Sequence, residues 1–494
     1  MERQPNILLI CSDQHNPAVT GCYGDSVIDT RNIDRLASEG ITYQNAYCNQ
    51  PVCVPSRMSF MTGRYPHQIG VLDNSHVLDS RFPTFAHMLV GAGYRTALAG
   101  RMHFNGPDQF HGYQERLGSD YTAYAFHTGK INRYKPLKGL LGNGYRPDAL
   151  LQVGQGVTCT QQIDKDTTAA AIDWLRNLGG SNHSAPFMLT VGYFSPHCPY
   201  IAEESYFNKY RGRVGPRAML EHEPESLHPY HKAYRDRIEI GRIPEENFFK
   251  AAVAYYGLVD FLDDQIGSLL QALDSLGLSD DTTVIYFSDH GEMLGEHGRW
   301  HKSSFFEGSA SVPLIVRHAR RDRDQSNISS VCEAPVSLID LFPTVCEMAG
   351  TDIPFSIEGQ SLLGDLDPER PIFAEYHDRF GSHRMVRKGE LKLNTYAGFD
   401  ADELFDLNHD PKEGTNLSGA PELKSRQEEL RKLSMSGEWS NDIYSRHKRF
   451  LSRIGYTEVA RRMSATERLI EQGTITRIPG YDVAVSDYEN RIDP

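Results

Sequence analysis

Two dipeptides, each closing an apolar run, offer a donor set for a cation. Asp13-Gln14 follows the run from Asn6 to Cys11, and Asp289-His290 follows Thr283 to Ser288. If both runs are strands of one sheet, two carboxylates, an amide oxygen and an imidazole converge at its carboxyl edge. Oxygen ligation favours Ca2+, and the imidazole draws the site toward Mn2+ or another borderline metal, with Mg2+ also open. Taken singly, such residues more often serve as turn formers or helix caps. A third feature is Cys53, with Pro55 behind it and Arg57 four positions on. If a helix begins near the cysteine, Arg57 shares its face and can hold a nucleophile while neutralising developing charge. Arg101 and His103 are two apart and share a side if their segment is extended. His197 and Lys302, taken alone, read as a structural imidazole and a solvated amine.

The elements that must position these residues repeat one pattern. Asn6 to Cys11 reads as a buried parallel strand delivering polar side chains at its end. Asp34 to Glu39 and Thr84 to Gly93 read as helices, the second leading into a strand from Tyr94 to Ala99 that delivers Arg101 and His103. Asp166 to Leu178 is a helix before the strand Pro186 to Phe194, which ends in Ser195-Pro196-His197. The long amphipathic stretch Phe248 to Leu276 precedes the strand that ends in Asp289-His290. Helix, strand and polar cluster in turn is the logic of an α/β fold, a mostly parallel sheet covered on both faces. Residues 119 to 160 and 203 to 247 are less regular and read as insertions that shape a pocket. Beyond Gly350, short alternating runs (Pro371 to Tyr376, Arg384 to Arg387, Leu391 to Asn394, Glu403 to Asp406) and a helix from Glu422 to Ser434 suggest a small α+β subdomain. The expected division is 1–370 as the catalytic domain, 371–455 as the subdomain and 456–494 as a tail.

The bulk properties exclude several classes. A formal charge of -14 argues against nucleic acid and anionic membranes as partners, so an anionic substrate needs a local cationic pocket. Eight cysteines without CxxC spacing argue against a zinc ribbon or a disulfide framework. There is no run of eighteen apolar residues and no leader-like N-terminus, so a cytoplasmic protein is expected if Met1 is the native start. A homo-oligomer remains open.

Cys53-Val54-Pro55-Ser56-Arg57 followed by Thr62-Gly63-Arg64 resembles the CxPSR and TGR signature of the formylglycine-dependent sulfatase family. Glu403-Leu404-Phe405-Asp406-Leu407 with Asp410-Pro411 matches a second family run. The resemblance implies an alkaline-phosphatase-like fold and oxidation of Cys53 to formylglycine by a formylglycine-generating enzyme. It also implies one divalent cation held by Asp13, Gln14, residue 53, Asp289 and His290, with catalysis by Cys53, Arg57, Arg101, His103, His197 and Lys302. The hydrated aldehyde would attack sulfur, His197 or Lys302 would protonate the leaving alcohol, and His103 would help to expel sulfate. Gln14, His290 and Arg101 stand where the commoner family pattern has Asp, Asn and Lys.

Gly106 to Gly112, Pro83 to His87 and Ser288 to Glu296 resemble the choline-sulfatase branch. The expected substrate is a small anionic sulfate ester: choline sulfate, a sulfated sugar or an aryl sulfate. Recognition of a quaternary ammonium would fall to Tyr121 or Tyr124. Asn74 and Glu375 are candidate substrate contacts, from their places after the nucleophile helix and at the end of a subdomain strand. Two alternatives stand beside this reading: a phosphonate monoester or phosphodiester hydrolase with the same nucleophile, and an unmodified anion-binding homologue.

Overall fold

Strand β1 (Asn6–Asp13) is buried along its whole length, and its alternating residues feed two cores. Ile7, Leu9 and Cys11 enter one, Leu8 and Ile10 the other. This is the consequence of period-2 side chains on a strand covered on both faces. The computed structural model describes residues 4–118, 148–179, 185–215, 227–237, 239–319 and 330–435.

Seven further strands join β1: β2 (Ile41–Tyr43), β3 (Arg95–Gly100), β4 (Glu115–Leu117), β5 (Phe187–Pro196), β6 (Thr282–Ser288), β7 (Leu314–Arg317) and β8 (Ser330–Cys332). The eight-stranded order is β8-β2-β7-β6-β1-β5-β3-β4. Within it, β7 runs antiparallel to both of its neighbours, and every other pairing is parallel. The expected α/β architecture is therefore present, a large mostly parallel sheet between helices.

On one face lie α1 (Cys53–Thr62), through Met58, Phe60 and Met61, and α4 (Leu341–Met348), through Leu341, Phe342 and Val345. The opposite face is covered by α2 (Cys159–Gly179), through Ala171, Trp174 and Leu175, and by the 31-residue α3 (Glu245–Ser275). Leu262, Ile266, Leu269, Leu270 and Leu273 of α3 fall at the three- and four-residue spacing of one helix face. At about 25 cal/mol per Å2, each fully buried aliphatic side chain contributes roughly 1.5–3 kcal/mol, so these two layers hold the sheet edge rigid.

Register carries the first carboxylate to the second. Ser12 pairs with Ser288, so Asp13 and Asp289 leave neighbouring strands at the same level, and the Asp289 N–H donates to Ser12 O at 3.2 Å. Close backbone approach sets the third strand end. A Cβ on Gly100, which has φ +73°, would lie 2.3 Å from Gly192 O, and one on Gly192 would lie 1.8 Å from Arg101 O. Glycine alone lets β3 and β5 end side by side there.

A four-stranded antiparallel sheet follows in the order β9 (Ile372–Asp378), β10 (Gly381–Lys388), β11 (Leu391–Thr395) and β12 (Asp402–Asp406). Helix α5 (Lys424–Met435) closes its face, Leu430 packing on Val386, Leu391, Leu393 and Leu404. Lys392 is buried and reaches back to the body, donating to Phe305 O at 2.7 Å and pairing with Glu307 and Glu413. The described residues belong to one unit, Met1–Trp439, and Ser440–Pro494 lies outside them together with the expected tail.

The irregular reading of residues 203 to 247 needs correction. Helices Glu204–Tyr210 and Pro229–Arg237 lie there, buried through Phe207 and Tyr210 and through Tyr230, His231 and Tyr234. Their inner faces are aromatic and imidazole rather than aliphatic, which hides the helical period from a hydrophobicity reading. Tyr121 and Tyr124 lie outside the described residues. The cysteines in the described residues are free thiols. No described helix is long and apolar enough to cross a membrane.

Candidate active site

Cys53 opens α1, and its thiol is buried at the carboxyl edge of the sheet. Val52, the residue before the helix, provides no side-chain cap. Asn74 takes that role from a different segment, its Oδ1 accepting from Val54 N at 2.9 Å. An uncapped helix start leaves backbone donors unpaired, so Asn74 fixes the turn that carries the cysteine.

Around Cys53 Sγ stand Lys302 Nζ at 3.1 Å, His290 Nε2 at 3.3 Å and Asp13 Oδ1 at 3.7 Å. Burial by itself would raise the thiol pKa. The charges of Lys302 and His290, with hydrogen bonds from His103 and His197, hold it well below the ordinary value. Lys302 is buried too, which opposes its charge, but Cys53, Asp13 and Asp289 shift its pKa upward. The side chain at position 53 thus sits in a pocket that favours a negative oxygen or sulfur.

Arg57 is fully buried and welds the two strand ends together. Its Nε donates to Asp289 Oδ2 at 2.8 Å, Nη2 to Asp13 Oδ2 at 3.1 Å and Nη1 to Arg101 O at 2.9 Å. Arg101 Nε donates to the same Asp13 oxygen at 2.6 Å, and its guanidinium lies 4.1 Å from the Phe194 ring centroid. Burial and the neighbouring Cys53 push Asp13 up, yet Arg101, His197 and Arg57 prevail and hold it below the usual carboxylate range. Asp289 is raised, by burial first, with Arg57 opposing and Asp13 adding.

His103 meets Arg101 Nη2 at 2.9 Å, but not through an extended segment. Its φ of 61° turns the chain after Met102, so a left-handed residue brings the two together. His197 lies with Nε2 4.0 Å from Asp13 Oδ1 and is anchored by Nδ1 at 2.6 Å from Cys198 O.

One donor group emerges among the described residues: ligand atoms of Asp13, Cys53, Asp289 and His290 all lie within 4.8 Å of one another, and all four residues are buried. Two carboxylates and an imidazole at that spacing suit a divalent cation. Gln14, the further ligand expected from the sequence, has φ 69°, and its Oε1 accepts from Lys302 Nζ at 2.9 Å. Beside the two carboxylates and residue 53 stand the permanent cations Arg57 and Arg101 and the ammonium of Lys302. This concentration of cationic side chains suits an anionic substrate despite the negative charge of the whole chain.

Lys302 arrives on a loop with left-handed, non-glycine residues at Leu294, His297, His301 and Ser303. Such backbone costs of order 1–3 kcal/mol per residue and persists where surrounding contacts over-determine it. Here Met293 N donates to His301 O at 2.8 Å, Arg299 Nη2 to Ser303 O at 2.9 Å and Ser303 N to Pro51 O at 3.2 Å. Glu375 has a different setting, with His67 N donating to Oε1 at 2.6 Å and His67 Nδ1 lying 3.0 Å from Oε2. Its pKa, which burial would raise, is lowered to about 2 by His67 and His377.

Sequence reasoning passed over Glu292, Tyr200 and Ser56. Ser56 Oγ donates to Asp289 O at 2.5 Å, and Tyr200 OH to Glu292 Oε2 at 2.7 Å. All lie inside the motif runs, but their partners come from distant segments.

Comparison with known proteins bears on the family and the fold. The family description "Sulfatase" matches residues 5–351, and "N-sulphoglucosamine sulphohydrolase, C-terminal" matches residues 295–437. A choline-sulfatase of Rhizobium meliloti is 33% identical over 439 residues, covering 85% of this chain and 83% of its own. The fold is shared with the phosphonate monoester hydrolase of Agrobacterium radiobacter, TM-score 0.72 at 23% identity, covering 90% of this chain and 96% of that one. A protein solved in complex with its substrate D-glucosamine-2-N,6-O-disulfate aligns with TM-score 0.69 at 23% identity, covering 90% of this chain and 98% of that one. At that identity the two structures speak for the fold alone. The chain belongs to the sulfatase family and is a sulfatase with the alkaline-phosphatase-like architecture of that family.

Proposed function

We propose that this sulfatase cleaves a small sulfate monoester to alcohol and inorganic sulfate, with residue 53 carried as formylglycine and one divalent cation held by Asp13, Gln14, residue 53, Asp289 and His290. The observation that carries the reading is the position of Cys53 Sγ, buried between Lys302 Nζ at 3.1 Å, His290 Nε2 at 3.3 Å and Asp13 Oδ1 at 3.7 Å. That sulfur stands where the oxygens of a hydrated aldehyde would lie. Such a residue supplies one hydroxyl to attack sulfur and a second whose deprotonation expels sulfate, which a plain thiol or hydroxyl cannot do. The cation, Ca2+ by its oxygen-rich donors, would polarise a sulfuryl oxygen and ease ionisation of the nucleophile.

The remaining work falls to side chains of this chain. Arg57 keeps both carboxylates in register and places a fixed positive charge beside residue 53. Lys302 and His197 are the candidate proton donors to the leaving alcohol, and His103 the group that removes the second proton. Arg101 orients His103 and neutralises charge on Asp13. Asn74 and Glu375, the two further candidate substrate contacts, already hold Val54 N and His67, and effects on KM separate a substrate contact from a bracing role. Modification of Cys53 requires a formylglycine-generating enzyme as partner.

Mass spectrometry of the peptide containing Cys53, from a host with the modifying enzyme, tests the nucleophile: an unaltered thiol in an active preparation removes formylglycine from the account. Parallel kcat/KM values on choline sulfate, a sulfated sugar, an aryl sulfate and an aryl phosphonate test the substrate. Sulfate esters are expected to lead. A phosphonate preferred by tenfold or more would turn the assignment to phosphonate monoester hydrolysis, the reading that Gln14 and His290 also accommodate.

A further inference from the structure

We propose that Glu292 is a positioning residue: its carboxylate dictates which end of the Gln14 amide faces residue 53, and it pins the loop that delivers Lys302. The inference rests on the metal and nucleophile assignment above. Glu292 is buried and, when ionised, can only accept hydrogen bonds. Its two oxygens divide the task. Oε2 accepts from Gln14 Nε2 and from Tyr200 OH, the latter at 2.7 Å. Oε1 accepts from the backbone N–H of Leu294 at 2.9 Å and of His301 at 2.7 Å.

The first pair settles an ambiguity of shape. A primary amide has nearly the same outline either way round, with two donors at one end and an acceptor at the other. With its NH2 committed to Glu292, Gln14 must turn Oε1 to the opposite side, where it lies 2.9 Å from Lys302 Nζ, which in turn lies 3.1 Å from Cys53 Sγ. Turned over, the amide would direct N–H groups at an ammonium and at the cation position, losing an oxygen donor. Tyr200 reinforces the arrangement. Its hydroxyl lies 2.9 Å from His301 Nδ1, and the two rings stack with centroids 5.6 Å apart.

The second pair acts on the backbone. Leu294 has φ 49° and His301 φ 67°, and both N–H groups converge on one oxygen. A single buried acceptor therefore closes both ends of the strained loop immediately before Lys302. Partners of this kind, one shell removed from a metal, typically change affinity or activity by roughly 10–100-fold when altered.

Glu292→Gln separates the two tasks. Its carbonyl oxygen can still receive Leu294 and His301, while its NH2 now opposes the NH2 of Gln14 and forces that amide over. On the full-length, formylglycine-bearing protein, titration calorimetry with Ca2+ and with Mn2+ is expected to show affinity weakened about 10–100-fold, with kcat lowered in parallel. The thermal midpoint of the metal-free protein is expected to move far less than its metal-bound counterpart. Adding Gln14→Glu restores a donor facing an acceptor, so the double variant is expected to bind metal at least tenfold more tightly than either single variant. Equal affinity of Glu292→Gln and wild type within twofold, or losses in the double variant that simply add, would overturn the proposal. Should Glu292→Gln fail to fold, Gln14→Glu against the double variant decides the same question. Failure of wild type itself to bind metal, or to carry the aldehyde, would instead overturn the function proposed above.

Discussion

Replacing Glu375 by Gln tests whether this buried carboxylate braces the two sheets or touches substrate. In the folded chain its side chain is 1% exposed, and Oε2 lies 3.0 Å from His67 Nδ1, beyond α1, and 3.4 Å from His377 Nε2, on its own strand. Burial alone would raise its pKa, but these partners lower it from 4.5 to about 2. That lowering corresponds to about 3 kcal/mol of differential stability. The sign follows from the depressed value. The contribution needs the carboxylate ionised and its imidazole partners protonated; it is lost as pH falls through about 2, reaching roughly 1.4 kcal/mol near pH 3. Glu375→Gln cannot ionise, so urea unfolding at pH 5 is expected to show it less stable by about 3 kcal/mol, and the gap is expected to narrow steadily as pH is lowered toward 3. KM of the folded fraction should change little. An unchanged urea midpoint at pH 5 with KM raised tenfold would refute the bracing argument and make Glu375 a substrate contact.

Cys53→Ala is expected to abolish turnover while lowering the free energy of unfolding by no more than about 1–2 kcal/mol, because only one small side chain is lost; activity above background would remove residue 53 as nucleophile. Lys302→Ala is expected to lower kcat by roughly 10²–10⁴, as for loss of a positioned proton donor, and a tenfold or smaller effect would shift that role to His197. Chelation should extinguish activity, and re-addition of Ca2+ or Mn2+ should restore it and raise the thermal midpoint in proportion to the logarithm of metal concentration. A midpoint indifferent to metal would leave the four-residue donor group without its ion. Asn74→Ala is expected to cost about 0.5–2 kcal/mol through loss of the bond to Val54 N, read by urea denaturation, and a cost below that range would deny it the capping role.

The local content of the chain reached far. Apolar runs ending in Asp-Gln and Asp-His identify strands and the edge at which they deliver function, because period and polarity are properties of neighbouring residues. The Cys-x-Pro-Ser-Arg run likewise carries its own guanidinium one turn after the cysteine. The alternating runs after Pro371 give the antiparallel meander for the same reason.

What the sequence left open depends on partners far apart along the chain, whose choice is made by packing and not by local preference. That Ser12 pairs with Ser288, and so sets Asp13 beside Asp289, is a matter of register between strands separated by most of the domain. The meeting of Arg101 and His103 required a left-handed residue where an extended one was expected. Asn74 proved to cap a helix that begins 21 positions earlier, which no spacing rule within one element contains. Glu292 is the clearest case. The chain shows it as one glutamate between Asp289 and Glu296, and only the folded interior gathers four donors around it. A buried carboxylate must be satisfied by whatever the fold brings near, so its meaning is decided at the level of tertiary structure.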